Sequence, residues 1–384
     1  MRTILLLIFF SPFCLLASTQ NVNKQSDSLG FQYETSNNQL FLYRTYKLSN
    51  GLTVILVPDK TSPLIKGEFI INAGSKDDPA DFLGRAHLLE HLFYKGSDKI
   101  GTSNWEAEKP LIDSLEVLYE LYRNEQDNDK SALLFKKIDS LSVITSRYTI
   151  LNEYISLMQS IGGTNPSYFT EADRISMPFQ APTSALRKLM ILEREHFRKI
   201  VPRMFNNELD IIFEELFIEK QDSWKQILNT SSKVLFYNSH YSKPTGGKQE
   251  HILKPSMKQV REFFEAAFVP NNMCMVIKGN FKYEPTIALI DSLWKDAKPN
   301  NYVPNTIADT ANSYIPLSRE YSFKSQKDNE VSMVFKLSDL SDKEIVVSEI
   351  FKEILINQEY GIIKKHFSHN PEIIKPICDV YLNC

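Results

Sequence analysis

Gly84-Arg85-Ala86-His87-Leu88-Leu89-Glu90-His91-Leu92-Phe93 is the stretch on which the reading of this chain turns. Apolar Leu88, Leu89, Leu92 and Phe93 alternate with polar residues at helical spacing. His87 and His91 are four apart, so both imidazoles leave one helical face, one turn apart. Two neutral imidazoles at that spacing are half of a tetrahedral zinc site. Glu90, three residues after His87, lies near the same face and is placed to take a proton from a water held there. The order H-x-x-E-H reverses the common H-E-x-x-H. Seven histidines in 384 residues leave room for a chance match. A lone histidine on such a helix is more often a core or surface residue than a ligand. The motif therefore needs a third ligand and a context.

The rest of the chain bounds the answer. At 384 residues it is too long for one ordinary domain, and two are expected. Hydrophobic residues make up 42% and charged residues 24%, an ordinary globular composition. A net charge of −3 offers no basic field for nucleic acid. No internal stretch reaches the roughly 20 apolar residues of a membrane span. Met1-Arg2, the apolar run Ile4 to Phe10 and small residues to Thr19 describe a secretory signal peptide over residues 1–19. A buried first helix is the alternative, and Pro12 with the polar stretch Gln20 to Asn38 argues against it. Export to a periplasm or the medium is the expected consequence. Cys14 leaves with that leader; Cys274, Cys378 and Cys384 form neither a dense disulfide framework nor a C-x-x-C knuckle.

Along the chain, Tyr46 to Pro58 reads as a hairpin turning at Asn50-Gly51, and Ile65 to Asn72 as a second strand. Residues 103–150 read as a charged helical hairpin, a solvated insertion more than a partner-binding arm. Gly162-Gly163-Thr164-Asn165-Pro166 is a turn into a strand-like stretch. Helices follow over Pro182 to Lys199, Glu208 to Gln221 (capped by Asn206-Asn207) and Met257 to Phe268. Met273 to Lys278 is a buried strand ending at Gly279. Residues 297–313 read as a linker. Glu320 to Leu337 and Asp342 to Ile356 give a strand pair and a helix.

A catalytic zinc takes three protein ligands and keeps one position open. Carboxylates are offered by Glu208, Glu214 and Glu215. Glu208 and Glu215 are seven apart, two turns along one face, so one could reach a metal while the other supports a ligand. From spacing alone a solvated acidic helix is the better reading of this segment.

Taken together and in order, these segments resemble the pitrilysin/insulinase-type zinc peptidases, inverzincins that include the mitochondrial processing peptidase. Leu48-Ser49-Asn50-Gly51-Leu52, Ala73-Gly74-Ser75, Gly84 through Phe93 and Lys95-Gly96-Ser97 follow the family's opening. Gly162-Gly163-Thr164-Asn165 resembles its substrate-edge strand. Glu208 through Glu215 resembles its E-x6-E segment, and Pro270-Asn271-Asn272-Met273 through Gly279 its later strand. The resemblance implies an α+β fold: a mixed, mainly antiparallel sheet with helices packed on it over residues 40–300, the 103–150 hairpin being an insertion. A partial second domain of the same type follows over 314–384. It implies one Zn²⁺ per chain on His87, His91 and Glu215, with Glu90 as general base. Glu208 would stand behind the ligands, and Gly163 and Asn165 would meet substrate. The implied activity is endopeptidase cleavage of short or unfolded polypeptides. The implied alternative is a weak or inactive subunit partnering a homologous chain, or a second copy of itself. The chain departs from the family in three places, the largest being that residues 314–384 are too few for the family's whole second domain. His91 and Glu215 lie farther apart than usual by about the length of the hairpin, and Pro166-Ser167 follow Asn165 where Ala is usual.

Overall fold

The computed structural model describes residues 2–10, 23–35, 42–164, 166–236, 239–305, 329–337, 341–356, 361–367 and 377–382. In chain order the strands are β1 (Arg2–Phe10), β2 (Asn23–Ser26), β3 (Gln32–Thr35), β4 (Arg44–Lys47), β5 (Thr53–Pro58), β6 (Leu64–Ile71), β7 (Phe169–Thr170), β8 (Ile175–Pro182), β9 (Met273–Gly279), β10 (Asn329–Leu337) and β11 (Ile377–Leu382). The helices are α1 (Arg85–Phe93), α2 (Trp105–Asn124), α3 (Asn128–Thr145), α4 (Glu153–Ser160), α5 (Leu186–His196), α6 (Phe205–Glu219), α7 (Ser223–Leu235), α8 (Gln249–Ile252), α9 (Met257–Ala267), α10 (Tyr283–Trp294), α11 (Asp342–Ile356) and α12 (Ile362–Phe367).

Contacts divide the chain into two compact units. The larger comprises Thr19–Phe213 and Thr245–Asn305; the other comprises Met1–Ser18, Glu214–Pro244 and Thr306–Cys384. The larger unit is built on an eight-stranded sheet in the order β2-β3-β4-β5-β9-β6-β8-β7. All neighbours run antiparallel except β5 and β9, which are parallel. This is the mixed, mainly antiparallel sheet that the sequence implies. The β4–β5 hairpin turns at Gly51, whose φ of 91° is open to glycine and costly for other residues. A Cβ there would also stand 2.7 Å from that of Asn271.

Alternation along the strands sends one set of side chains to the core. Val54 and Leu56 of β5, Ile65, Phe69 and Ile71 of β6, and Met273, Met275 and Ile277 of β9 are buried. Phe69 is the aromatic centre, with its ring 4.4 Å from that of Phe197, 5.6 Å from Phe179 and 5.7 Å from Trp294. Burying such side chains contributes roughly 1.5–3 kcal/mol each. Cys274, on the half-buried positions of β9, is a free thiol.

Several elements escaped the sequence reading. Helices α4, α7 and α10 were not anticipated, and β8 was read as only the end of a strand-like stretch. Asn206 and Asn207 are not caps: α6 begins at Phe205, so both sit in its first turn. Met204 before it has a left-handed φ of 53°. In the smaller unit Arg2–Phe10 is the middle strand of the parallel sheet β10-β1-β11. A continuous apolar run suits a strand flanked on both sides, although its sequence reads as part of a leader. Residues 11–19 of that expected leader lie outside the described residues, as do residues 306–313 of the expected linker.

Helices α2 and α3 pack against one another, and α2 is fastened to the body by a buried ion pair. Arg203 gives two hydrogen bonds to Glu108, at 2.7 and 2.9 Å, with both side chains fully buried. Its other nitrogen donates to the carbonyls of Lys95 and Ile100. Removing one partner strands a buried charge, which costs about 3–5 kcal/mol. Arg203→Met is therefore expected to lower the unfolding free energy by about that amount, read as a shift of the urea midpoint.

Candidate metal centre

Helix α1 turns on how its first turn is satisfied. Its first N–H groups have no partner within the helix. Asp78, 1% exposed, supplies one: its two oxygens accept Gly84 N–H at 2.8 Å and Ala86 N–H at 3.0 Å. Gly84 itself takes a φ of 99°, and Gly247 lies so close that a Cβ on it would fall 2.5 Å from the Gly84 Cα. The helix buries Ala86, Leu88, Leu89, Leu92 and Phe93 and leaves His87, Glu90 and His91 half-buried.

The two histidines converge. Their Nε2 atoms are 3.3 Å apart, with the rings edge to face. His91 Nδ1 is 3.2 Å from Glu208 Oε2, and His87 Nδ1 is 3.4 Å from the Gly246 carbonyl. Both partners only accept, so each Nδ1 carries the proton and donates. Each Nε2 then presents a lone pair, and the two lone pairs face the same point. Facing lone pairs repel unless a cation lies between them. Tetrahedral ligand atoms at the usual zinc distances stand roughly 3.3–3.6 Å apart. The histidine pair fits.

Glu208, 4% exposed, is also held by Lys95, whose Nζ is 2.6 Å from its Oε1. Burial alone would push this carboxyl up; the hydrogen bonds from His91 and Lys95 outweigh it and hold the pKa below the ordinary value. Glu208 therefore stays a carboxylate and fixes the orientation of His91. Two turns farther along α6, exposed Glu215 brings a carboxylate oxygen to the histidines: the three ligand atoms all lie within 4.8 Å of one another. Glu214, rotated away on the same helix, does not join this group.

β7 is the last strand of the sheet. Gly162 turns with φ 79°, Gly163 N–H donates to Met158 O, and a Cβ on Gly163 would meet Met158 Sδ at 2.5 Å. Asn165, also read as a substrate contact, lies outside the described residues. Beneath this edge His196 is buried, and desolvation pulls its pKa down to about 4, so it is neutral. Its Nε2 donates to Phe93 O at 2.6 Å, which leaves Nδ1 to accept from the Tyr168 hydroxyl at 3.2 Å. Tyr154 stacks on its ring and donates to Glu193.

Sequence alone gives no role to Asp78, to the Thr245-Gly246-Gly247 loop or to this buried tyrosine–histidine layer, and it does not pair Lys95 with Glu208. The Gly-Gly pair was a visible signal. The others are ordinary residues whose roles come only from distant pairing.

Comparisons with known proteins agree with this architecture. Residues 53–109 match the family model of insulinase (peptidase family M16), and residues 256–369 match that of the peptidase M16 inactive domain. An uncharacterised protein of Saccharomyces cerevisiae is 22% identical over 308 residues, 78% of this chain and 25% of that protein. An insulin-degrading enzyme homologue of Dictyostelium discoideum is 44% identical over 57 residues, 15% of this chain and 6% of its own. The first half of a periplasmic protease of Escherichia coli has the same fold at a TM-score of 0.52 and 18% identity, covering 69% of this chain and 48% of the other. A Helicobacter pylori protease gives 0.51 at 16% identity, covering 67% and 51%. This chain thus spans a quarter or less of those two curated relatives, and about half of those two solved chains. Its sequence resembles peptidase family M16 over residues 53–109 and 256–369, and its fold is that of the two solved proteases.

Glu193 gives this layer a pH signature. Burial pushes its carboxyl from near 4.5 to about 7. A folded-state pKa raised above the unfolded value gives stability that is complete below about 4.5 and lost as pH rises through about 7. Glu193→Gln abolishes that term. Its unfolding free energy relative to wild type should therefore rise with pH between about 4.5 and 7, measured by denaturant titration at several pH values.

Proposed function

We propose that this chain is a zinc-dependent endopeptidase acting on short or unfolded polypeptides. The observation that carries the reading is the convergence of two oriented imidazoles and one carboxylate, His87, His91 and Glu215. This donor set, two nitrogens and one oxygen, is that of a catalytic zinc with an open fourth position. These residues would hold the ion, one per chain, with Glu208 orienting His91. When bound, zinc supplies a Lewis acid for the scissile carbonyl and brings the pKa of water down toward about 7.

The remaining chemistry belongs to side chains and backbone. Glu90, on the same helix between the two ligands in sequence, accepts a proton at its carboxylate and returns it to the leaving amine. The peptide would add as a strand beside the sheet edge near Gly163, held by main-chain hydrogen bonds. That mode admits extended polypeptides and asks little of their side chains. The inactive-domain match begins at residue 256, beyond every residue named here.

A second reading draws on coverage. The chain spans 48% and 51% of two solved protease chains. A homologous subunit or a second copy would then complete the substrate chamber, with this chain as the metal-carrying or the merely binding half. Export is proposed from residues 1–19. No described helix is long and apolar enough to cross a membrane.

The test is metal analysis and peptidase assay of the purified chain, alone and mixed with a homologous subunit. Glu90→Gln is expected to keep its zinc and lose about 10²–10⁴-fold in kcat/KM. His91→Ala is expected to lose the metal itself. A Glu90→Gln chain with full activity would overturn the assignment.

A further inference from the structure

We propose that Tyr94 is a positioning residue whose hydroxyl fixes the register of the substrate edge against the helix that carries Glu90. The inference rests on the peptidase reading above and adds to it a residue with no role in metal binding.

Tyr94 closes α1, one turn beyond Glu90. Its ring stacks on that of Tyr168, centroids 4.5 Å apart and planes 19° apart. Its hydroxyl accepts the main-chain N–H of Tyr168 at 3.0 Å and reaches the main-chain carbonyl of Pro166 at 3.4 Å. One side-chain oxygen thus pairs with an N–H and a C=O of the segment leading into β7, as a neighbouring strand would. Desolvation raises this hydroxyl to about 12, so it remains neutral and able to donate and accept together.

A second tether runs from the adjacent residue. The Phe93 carbonyl accepts from His196, and His196 accepts from the Tyr168 hydroxyl. Tyr168 is therefore held by its backbone from Tyr94 and by its side chain from Phe93. Both anchors are at the end of α1, so the edge and the general base share one rigid support.

Packing does not explain the hydroxyl. Phenylalanine would fill the same half-buried site and keep the stack on Tyr168. What it would lose is the fixed height of the edge backbone. A strand advances about 3.3 Å per residue, so a loosened edge lets a bound peptide present neighbouring bonds to Glu90. The role is one of register, and register is read in which bond is cut.

The experiment uses Tyr94→Phe in the full chain, beside wild type. A peptide with several equivalent bonds is digested and its products are assigned by mass. Amide hydrogen exchange is followed over residues 166–170 and over α1, and zinc affinity is measured directly. The expected result is a broadened set of cleavage sites with kcat/KM down about tenfold. Exchange should be faster at the Tyr168 amide and unchanged in α1, with zinc affinity unaltered. An unchanged product pattern, or unchanged exchange at Tyr168, overturns the proposal. A wild-type chain that cleaves nothing under any pairing overturns the peptidase reading instead, and the exchange measurement still decides whether Tyr94 holds the edge.

Discussion

The structure depends on how a nine-residue helix is kept in place. Alone, α1 is too short to be stable in water. Asp78 satisfies its first turn from outside, its apolar stripe is buried, and Phe93 anchors its end in a ring cluster with Phe197, Phe264 and Phe268. With five of nine side chains spent on burial, the remaining face is free to carry two imidazoles and a carboxylate. The price is that none of this is local: each support comes from another part of the larger unit.

Hydrogen-bond bookkeeping sets the chemistry of that face. Two acceptors, a carbonyl and a carboxylate, dictate the tautomers of His87 and His91 and so aim two lone pairs at one point. Lys95 keeps Glu208 charged in spite of burial, so the orientation of His91 does not lapse. A free pair of histidines on a helix would choose tautomers by solvent. Here the protein makes the choice through Gly246 and Glu208, which is what preorganisation of the proposed metal centre would require.

The legible parts of the chain were those with short-range periodicity or turn chemistry. Asn50-Gly51 marked the β4–β5 hairpin because only a left-handed residue suits that turn. The spacing of His87, Glu90 and His91 put all three on the face of α1 that the core leaves half-buried. Glu208 and Glu215 were separable from Glu214 by helical angle, but their meeting with α1 could not be derived from spacing and came only from resemblance. What escaped was long-range or context-dependent. Asp78 looks like any loop aspartate until Gly84 and Ala86 are seen above it. Asn206 and Asn207 have the chemistry of caps, yet the helix already starts at Phe205, a buried residue, three before the expected Glu208. Residues 2–10 carry one apolar run that serves a leader and a strand equally.

The place of β9 has a kinetic side. The sheet's parallel pair joins β5 to a strand more than two hundred residues later, and the same strand separates β5 from β6. A chain emerging from its N-terminus holds both flanking strands long before their common neighbour exists. Closing so long a loop is an entropic cost met late, and topologies of this kind fold slowly. Until β9 is made, β5 and β6 lack the strand that pairs with both. Strand edges that wait so long for their partner are templates for misplaced strands.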